Sequence, residues 1–430
     1  MICVHGLWHL GSVTAACLAE AGLETVGLAD DQVAAGMLSK GQPPLFEPGL
    51  ADLLAKGLAS GRLAFDADPA IVCKADLLWV TFDTPVDDGD KADTGFVLDR
   101  VRALFPYLKD GAVVLLSSQL PVGSTATLER DFAVVAAGRQ VFFAYSPENL
   151  RLGRAIEAFT KAERIVVGIR DERARRVIEP VLEHFCPRIL WMGVESAEMV
   201  KHALNTYLAT CIVLANELAT ISEKVGADFA DVEGALRLDP RVGENAYVRA
   251  GSAFGGGTLA RDVLFLEGLA ASRQVTTPLI GSIRDSNANH RDWVLQRLKE
   301  RLGSLSGKRI GLLGLSYKAG TDAIRRSIAV ELGRAIAGEG AGVIAYDPKV
   351  HALPAEIAVS IAVAAEPGEV FADADAVLVG TEWPEFRTLP WPSLVEGMTR
   401  RLIVDQNGYL LHGVAKLGSS VEYVALGRVI

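Results

Sequence analysis

The chain has 430 residues, half of them hydrophobic, and a formal net charge of −10. The length predicts roughly three domains or lobes, and the acidic balance argues against nucleic acid or an anionic membrane as a main partner. The cysteines form no CxxC pair, which predicts neither a disulfide framework nor a metal site. The N-terminus has no signal-peptide pattern, so we expect a cytoplasmic protein that does not cross a membrane.

Short apolar runs alternate with helical patterns over residues 1–190. The predicted strands are MICVHG, ETVGLA, ADLLWVTF, AVVLLSS, VFFAYS and RIVVGI. This alternation indicates a parallel, doubly wound sheet.

A segment without glycine or proline follows, from Ala197 to Val225, and predicts one long helix between two lobes that also suits a dimer contact. After about Leu305 a second alternation begins, with strands in KRIGLLGL, AGVIAYDP, DAVLVGT and RLIVDQNG. The predicted fold class is therefore α/β, with two doubly wound, Rossmann-like parallel sheets joined by a long central helix and a helical dimerisation domain.

The segment HGLWHLG follows the first strand and opens a helix, which is the setting for a pyrophosphate at a helix N-terminus. Gly6 and Gly11 fit a dinucleotide turn, but Trp8 stands where a middle glycine is usual. Asp30 ends the second strand, where a carboxylate can bind the ribose, and favours NAD over NADP. The alternatives are a tight turn without ligand and a helix N-cap for Asp30.

Polar residues follow further predicted strands. Thr84 and Pro85 lie in FDTPVDD, and Glu148 lies in YSPENLRLGRAI, where a carboxylate can orient water or accept a proton. Lys201 and Asn205 are four apart and share a face of the long helix. The simpler alternatives are a polar loop for Thr84 and Pro85, a solvated loop glutamate for Glu148 and an ordinary exposed lysine for Lys201.

Two glycine-containing segments with cations suggest sites for a phosphorylated ligand. DPRVGENAYVRAGSAFGGGTLARD carries Arg241, Tyr247 and Arg249, and LGLSYKAGTDAIRRS carries Lys318 and Arg325. The first is the stronger signal, because a loop so rich in glycine is rarely a simple connection.

The order of these motifs resembles the UDP-glucose/GDP-mannose dehydrogenase family over nearly the whole chain. The matching phrases are GLWHLG, LFEPGL, FDTP, LPVGST, YSPENLRLGRAI, RIVVG, ESAEMVKHALNTYLA, NE, RVGENAYVRAGSAFGG, LGLSYKAGTDAIRRS, AYDP and TEWPEFR. The resemblance implies an NAD-binding domain at 1–190, a central helical, dimerising domain with the active-site loop at 191–300 and a C-terminal nucleotide-sugar-binding domain at 301–430. It also implies a homodimer that uses NAD to oxidise C6 of a nucleotide sugar, such as a UDP-hexose, to a carboxylate for polysaccharide biosynthesis.

The resemblance also implies roles for individual residues. Lys201, Asn205 and Asp262 would manage water and charge while the hydride leaves, and Glu148 would position the hydrolytic water. The implied cofactor contacts are Gly6, Trp8, Leu10, Gly11, Asp30, Thr84, Pro85 and Gln119. The implied substrate contacts are Asn149, Leu150, Arg151, Arg241, Tyr247, Phe254, Gly255, Lys318 and Arg325, with Arg241 reaching the neighbouring subunit's substrate.

The chain departs from the family pattern in the second half of the reaction. Thr258 stands in the place of the nucleophilic cysteine, and Gln119 in that of a threonine that helps hold the water. A threonine hydroxyl is a poor nucleophile without a base, so a thioester route is not expected. The reaction then stops at an aldehyde or ketone, returns the hydride as an epimerase with bound NAD, or reaches the acid through a hydrated aldehyde. A binding protein without turnover is the alternative from another class.

Overall fold

The computed structural model describes residues 1–87, 91–148, 150, 152–255 and 258–428. The chain forms two compact units. The first unit comprises Met1–Leu204 and Leu264–Gln274, and the second comprises Asn205–Val263 and Val275–Ile430. Each unit contains an α/β sheet.

The first unit is built on an eight-stranded sheet in the order β3-β2-β1-β4-β5-β6-β7-β8. Its strands are β1 (Ile2–His5), β2 (Thr25–Leu28), β3 (Leu63–Asp66), β4 (Leu77–Val80), β5 (Val113–Leu116), β6 (Phe142–Tyr145), β7 (Ile165–Gly168) and β8 (Ile189–Met192). The order reverses between β1 and β4, and such a switch point is where doubly wound sheets bind ligands. The sheet is parallel from β3 to β6, but β7 pairs antiparallel with β6, an exception to the fully parallel sheet predicted.

Helices cover both faces of this sheet, and its strands are therefore buried apolar runs. They are α1 (His9–Glu20), α2 (Gln32–Leu38), α3 (Leu50–Ala59), α4 (Thr94–Ala103), α5 (Ser124–Val135), α6 (Ala155–Thr160) and α7 (Glu172–Leu182). One core gathers Leu18, Leu54 and Ile178 from α1, α3 and α7. The other gathers Val101 and Leu128 from α4 and α5.

The predicted long helix is α8 (Val194–Val225), which begins three residues earlier than expected. It is followed by α9 (Phe229–Leu238), α10 (Thr258–Ser272), α11 (Pro278–Arg291) and α12 (Trp293–Leu302). By length and composition alone α8 could cross a membrane, a test that core helices of soluble proteins also pass. Its residues join protein cores, Ala197 in the first unit and Ala209 and Ala215 in the second.

The second unit contains a six-stranded, parallel sheet in the order β11-β10-β9-β12-β13-β14. Its strands are β9 (Arg309–Leu313), β10 (Gly342–Tyr346), β11 (Ile361–Val363), β12 (Ala376–Val379), β13 (Leu402–Val404) and β14 (Glu422–Val424). Its helices are α13 (Ile328–Gly338), α14 (Ala355–Ala358), α15 (Pro367–Phe371), α16 (Trp391–Glu396) and α17 (Leu411–Val414). Two Rossmann-like sheets and a long central helix confirm the predicted fold class.

Candidate functional site

The turn between β1 and α1 requires glycine at two positions. Gly6 has a φ of +99°, a left-handed conformation that side chains disfavour. A Cβ on Gly11 would lie 2.2 Å from the Gly6 carbonyl oxygen, so α1 can approach the strand this closely only with glycine there. Trp8 precedes α1 and provides no side-chain cap, and Leu10 is buried in its first turn. A helix N-terminus of this form suits a pyrophosphate.

A cleft beside this turn has about 980 Å³ of space, part of it open to solvent. The half-exposed indole of Trp8 lines it together with Asp30. The N-cap of α2 is Asp31, whose Oδ1 accepts a hydrogen bond from Ala34 N–H at 2.8 Å. Asp30 is therefore not needed as the cap and lies exposed at the end of β2, where a carboxylate can accept ribose hydroxyl groups. The turn and the cleft fit NAD.

The loops after β4 and β5 are joined by a buried hydrogen bond. Thr84 Oγ1 donates to the Gln119 carbonyl oxygen at 2.7 Å, and both residues are buried. Pro85, the next residue, is exposed. Because β4 and β5 are parallel neighbours, these loops lie at the carboxyl edge of the sheet, which is the edge that carries ligands in such folds.

Lys201 is buried, with 7% of its surface exposed, so its interpretation as an ordinary surface lysine is wrong. Its Nζ donates to the Glu148 carbonyl oxygen at 2.6 Å and lies 3.4 Å from Glu148 Oε1. A buried ammonium group is costly unless oxygen atoms compensate it, and Glu148 provides two. The first unit thus brings together two residues that the sequence predicts to be catalytic.

The first turns of α8 are bonded to the loop that follows β5 and to the start of α5. Glu198 is fully buried, and its carboxylate accepts hydrogen bonds from Gly123 N–H at 2.6 Å and from Thr125 N–H at 2.9 Å. His202 Nε2 donates to the Leu120 carbonyl oxygen at 3.0 Å. These bonds fix the helix on both sides of the lysine that precedes His202, which explains how a flexible side chain is held against Glu148.

The loop after β6 carries Glu148, whose side chain is about one quarter exposed. Its Oε2 accepts a hydrogen bond from Leu150 N–H at 2.8 Å, and Leu150 packs against the first unit's core. The predicted substrate contacts Asn149 and Arg151 lie outside the described residues. The carboxylate is thus held by its own loop and by the lysine of α8.

In the second unit, Asn205 and Asp262 form a buried pair. Asn205 Nδ2 donates to Asp262 Oδ2, and the two residues are 6% and 0% exposed. Asp262 lies in the first turns of α10, four residues after Thr258, so the two share one face of that helix. Thr258 is the first residue of α10 and is exposed.

The glycine loop, defined here as Gly251–Gly255, is held by side chains of the second unit at its start. Asn216 Oδ1 accepts a hydrogen bond from Gly251 N–H at 2.9 Å, and Asn407 Oδ1 accepts one from Ser252 N–H at 2.6 Å. His290 Nε2 donates to the Gly251 carbonyl oxygen at 2.8 Å. The backbone groups of this loop are thus paired with side chains from α8, α11 and the segment after β13.

The end of the glycine loop is held in the same way. Asn287 accepts a hydrogen bond from Phe254 N–H at 2.8 Å and donates one to the Phe254 carbonyl oxygen at 3.0 Å. A Cβ on Gly255 would lie 3.0 Å from Ile328 Cγ1, so a side chain at this position is crowded. The described part of the loop is therefore fixed by hydrogen bonds and packing up to Gly255; residues 256–257 lie outside the described ranges.

The turn after β9 is organised by Asp347, at the end of β10. Its carboxylate accepts hydrogen bonds from the N–H groups of Leu315 and Ser316 at 2.8 and 2.9 Å. Burial raises the pKa of Asp347, but these bonds outweigh burial and hold its pKa below the ordinary value. The turn leads to Lys318, which is half-buried, and to Arg325, which is exposed.

The other predicted substrate contacts of the second unit point to solvent. The side chain of Arg241 is 89% exposed and pairs with Asp239 at 2.7 Å, and Tyr247 is 54% exposed. Such exposure suits contacts with a neighbouring subunit.

Four of the cysteines, at positions 3, 17, 186 and 211, are buried, and Cys73 is exposed. Burial raises the pKa of Cys3 and of Cys17 to about 12, and a thiol with such a pKa is inert at neutral pH. Cys73 precedes β4 and so lies at the amino end of that strand, opposite the ligand-binding edge.

Two histidines, the buried His5 and the partly buried His290, should make the protein sensitive to acid. Burial lowers the pKa of His5 and of His290 below 6.5, against the opposing effects of their backbone hydrogen bonds. The folded state therefore binds fewer protons than the unfolded chain. The free energy of unfolding is therefore unaffected by these two groups above pH 6.5. It falls as the pH drops through 6 and 5, by up to about 1.4 kcal/mol per pH unit for each imidazole.

Urea unfolding at pH 7 and pH 5 measures this loss. His290→Gln keeps a donor for the Gly251 carbonyl but cannot titrate, so its loss of stability between the two pH values should be smaller. His351→Gln, which replaces an exposed histidine, should behave as the wild type. An equal loss in all three proteins would contradict the role of His290.

Sequence reasoning missed several residues that hold these segments. Glu198 and Asn216 lie in phrases that carry the resemblance, ESAEMVKHALNTYLA and NE, and could have been singled out there. Asn287 and His290 lie on α11 among polar residues without any motif. Their partners are more than 30 residues away in the chain, and no spacing in the sequence indicates such bonds.

Family models match almost the entire chain. The models for the UDP-glucose/GDP-mannose dehydrogenase family match as the NAD binding domain over residues 1–186, the central domain over 195–289 and the UDP binding domain over 311–411.

Known proteins with full-length similarity point to the same family. A UDP-glucose 6-dehydrogenase of Rhizobium meliloti is 34% identical over 99% of both chains, and TuaD of Bacillus subtilis is 31% identical over 96% of this chain and 93% of that protein. The structure of a UDP-glucose dehydrogenase from Pyrobaculum islandicum is 31% identical, with a TM-score of 0.84 over 94% of this chain and 93% of that one. The chain therefore belongs to the UDP-glucose/GDP-mannose dehydrogenase family of NAD-dependent nucleotide-sugar dehydrogenases.

Proposed function

We propose that this protein oxidises a UDP-hexose at C6 by two electrons and releases the aldehyde. The proposal rests on Thr258, which the resemblance to the family places where the nucleophilic cysteine is expected. The UDP-hexose is proposed because the relatives are named UDP-glucose dehydrogenases and a UDP binding domain matches residues 311–411.

The first oxidation needs a hydride acceptor, a base and groups that stabilise the developing alkoxide. NAD, held at the Gly6–Gly11 turn, would supply the hydride acceptor for C6. Lys201 of the first unit would stabilise the developing alkoxide. Asp262 of the second unit would take the hydroxyl proton through water, with its carboxylate oriented by the Asn205 amide. The burial of these three residues supports such a role, because charged and polar groups act more strongly on reacting atoms when bulk solvent is excluded.

The second oxidation requires a covalent adduct in the family scheme, and this chain lacks the group for it. The hydroxyl of threonine is scarcely ionised at neutral pH, whereas a thiol is partly ionised and is a stronger nucleophile. Cys3 and Cys17 cannot substitute, since they are buried with raised pKa values. Gln119 takes the place of the threonine that holds the hydrolytic water, so the hydrolysis step is altered as well.

The ratio of NADH formed to sugar consumed tests the proposal directly. With NAD and UDP-glucose we expect a ratio of one and an aldehyde that a hydrazine reagent traps. A ratio of two would show that the acid is still made, through the hydrated aldehyde. An altered sugar without NADH would show an epimerase, and no change with any UDP- or GDP-hexose, despite NAD binding, would favour a binding protein.

Two substitutions test which positions limit the second step. Thr258→Cys alone should leave the ratio near one, because the water site remains altered. Thr258→Cys combined with Gln119→Thr should raise the ratio towards two. A ratio of two for Thr258→Cys alone would contradict the importance of Gln119.

We further propose that the protein is cytoplasmic and that its three domains comprise residues 1–190, 191–300 and 301–430. We also propose that it forms a homodimer in which the α8 helices of the two subunits contact each other. Tyr207, Leu214 and Ile221 are 59%, 50% and 59% exposed and recur every seven residues. Residues at this spacing lie on one face of a helix, and an apolar stripe repeating in this way is typical of helix pairing.

A charge in this stripe should separate the subunits. Leu214→Arg should raise the dissociation constant of the dimer at least 10-fold, measured by sedimentation velocity at micromolar concentrations. Val134→Arg, at an aliphatic side chain that is 86% exposed on α5, serves as the matched control and should leave the dimer intact. If Leu214→Arg sediments as the wild type, the contact lies elsewhere.

A further inference from the structure

Glu47 is a buried carboxylate that joins three segments of the first unit. Its side chain is 1% exposed, and it accepts hydrogen bonds from two backbone N–H groups, Gly153 at 2.8 Å and Ala155 at 2.9 Å. His9 Nε2 lies 2.8 Å from the same carboxylate. A buried carboxylate is tolerated only when bonds compensate its lost hydration, and here every bond comes from a distant part of the chain.

The histidine belongs to the dinucleotide turn. His9 is the first residue of α1. It follows Trp8, the N-cap residue, whose side chain makes no capping hydrogen bond. Its side chain is 14% exposed, so the ring is confined between the turn and Glu47. A ligand that fixes the first turn of α1 therefore also fixes the position of this imidazole.

The two amides belong to the segment that leads from Glu148 into α6. Arg154, the residue before α6, makes no side-chain cap of its own, and Glu47 supplies that acceptor from more than 100 residues away. Gly153 has a φ of +86°, a turn that one hydrogen bond helps to hold. The start of α6 is thus fixed by a residue that is itself bonded to the cofactor turn.

We propose that His9 and Glu47 are positioning residues through which NAD bound at the Gly6–Gly11 turn orders the segment Gly153–Thr160. Binding at the turn reduces the motion of His9, the His9–Glu47 bond then opens less often, and Glu47 holds the amides of Gly153 and Ala155 more persistently. Sites coupled in this way share the cost of ordering. The inference rests on the NAD site of the family and does not depend on how many electrons are removed.

Amide hydrogen exchange of the full-length protein, with and without saturating NAD, tests the coupling. In the wild type, NAD should slow exchange of the Gly153 and Ala155 amides about 10-fold. In His9→Phe, at NAD concentrations that again saturate the site, the slowing should fall below 2-fold. His184→Phe, the same change at an exposed histidine of this unit, should retain the full effect.

Two further variants guard against a general loss of structure. His9→Gln keeps a donor near Glu47 and should restore most of the NAD effect. Glu47→Gln keeps one acceptor oxygen, so NAD should slow exchange at only one of the two amides. Three results would each overturn the proposal: full NAD-dependent slowing in His9→Phe, no slowing in the wild type, or no recovery in His9→Gln. None of them bears on the proposed two-electron oxidation, which the NADH ratio tests separately.

Discussion

Asp262→Asn is expected to lower kcat for NADH formation by about 10²–10⁴-fold, the range of a lost group that handles protons. The asparagine keeps the volume and can still accept the hydrogen bond from the Asn205 amide, but it carries no negative charge. NAD binds in the first unit and should bind the variant with unchanged affinity, which tryptophan fluorescence can measure.

The matched control is Asp285→Asn, which removes one negative charge from an exposed position on α11. Its kcat should remain within a factor of two of the wild type. If Asp262→Asn also retains kcat within that factor, Asp262 has a structural role only and the proposed chemistry fails at its first step.

Asn287→Ala is expected to lower the free energy of unfolding by about 1–3 kcal/mol and to reduce kcat as well. The change leaves both the N–H and the carbonyl of Phe254 without their partner, and an unpaired polar backbone group that is partly buried costs on this scale. Of the described bonds that hold the glycine loop, those to Phe254 are the closest along the chain to Thr258, and the variant would lose them.

The neighbouring Asn289 is exposed on the same helix, so Asn289→Ala makes the same chemical change without the two bonds. Urea unfolding should show no difference from the wild type for this control beyond about 0.5 kcal/mol. Equal stability of the two variants would show that Asn287 does not hold the loop.

The sequence predicted most strands because buried strands of a doubly wound sheet are continuous apolar runs. It missed β3 and β8, at the two edges of the first sheet, and β11 and β14, at the two edges of the second. In these edge strands side chains are only partly buried and the apolar run is short or interrupted. The reversed direction of β7 was also unpredictable, because strand direction depends on the path of the chain and leaves no mark on composition.

The candidate site was predictable in part. The need for glycine at Gly6 and Gly11 arises within one short turn, so the seven-residue segment HGLWHLG was enough to predict it. Lys201 is different, since its burial depends on Glu148, 53 residues earlier. The alternative role considered for Asp30, a helix N-cap, belongs instead to the next residue, Asp31. Two adjacent aspartates are equally good caps by sequence, and only the backbone geometry decides between them.

The burial of four of the five cysteines has a consequence for resistance to oxidants. A nucleophilic thiolate is also the group that hydrogen peroxide converts to sulfenic and then to sulfinic acid, so an enzyme that relies on one loses activity under oxidative stress. A hydroxyl at position 258 cannot follow that route, and the buried thiols of Cys3 and Cys17, with pKa values of about 12, have little thiolate to oxidise. If Thr258 occupies the nucleophile's position as proposed, the enzyme has no thiolate there for peroxide to oxidise.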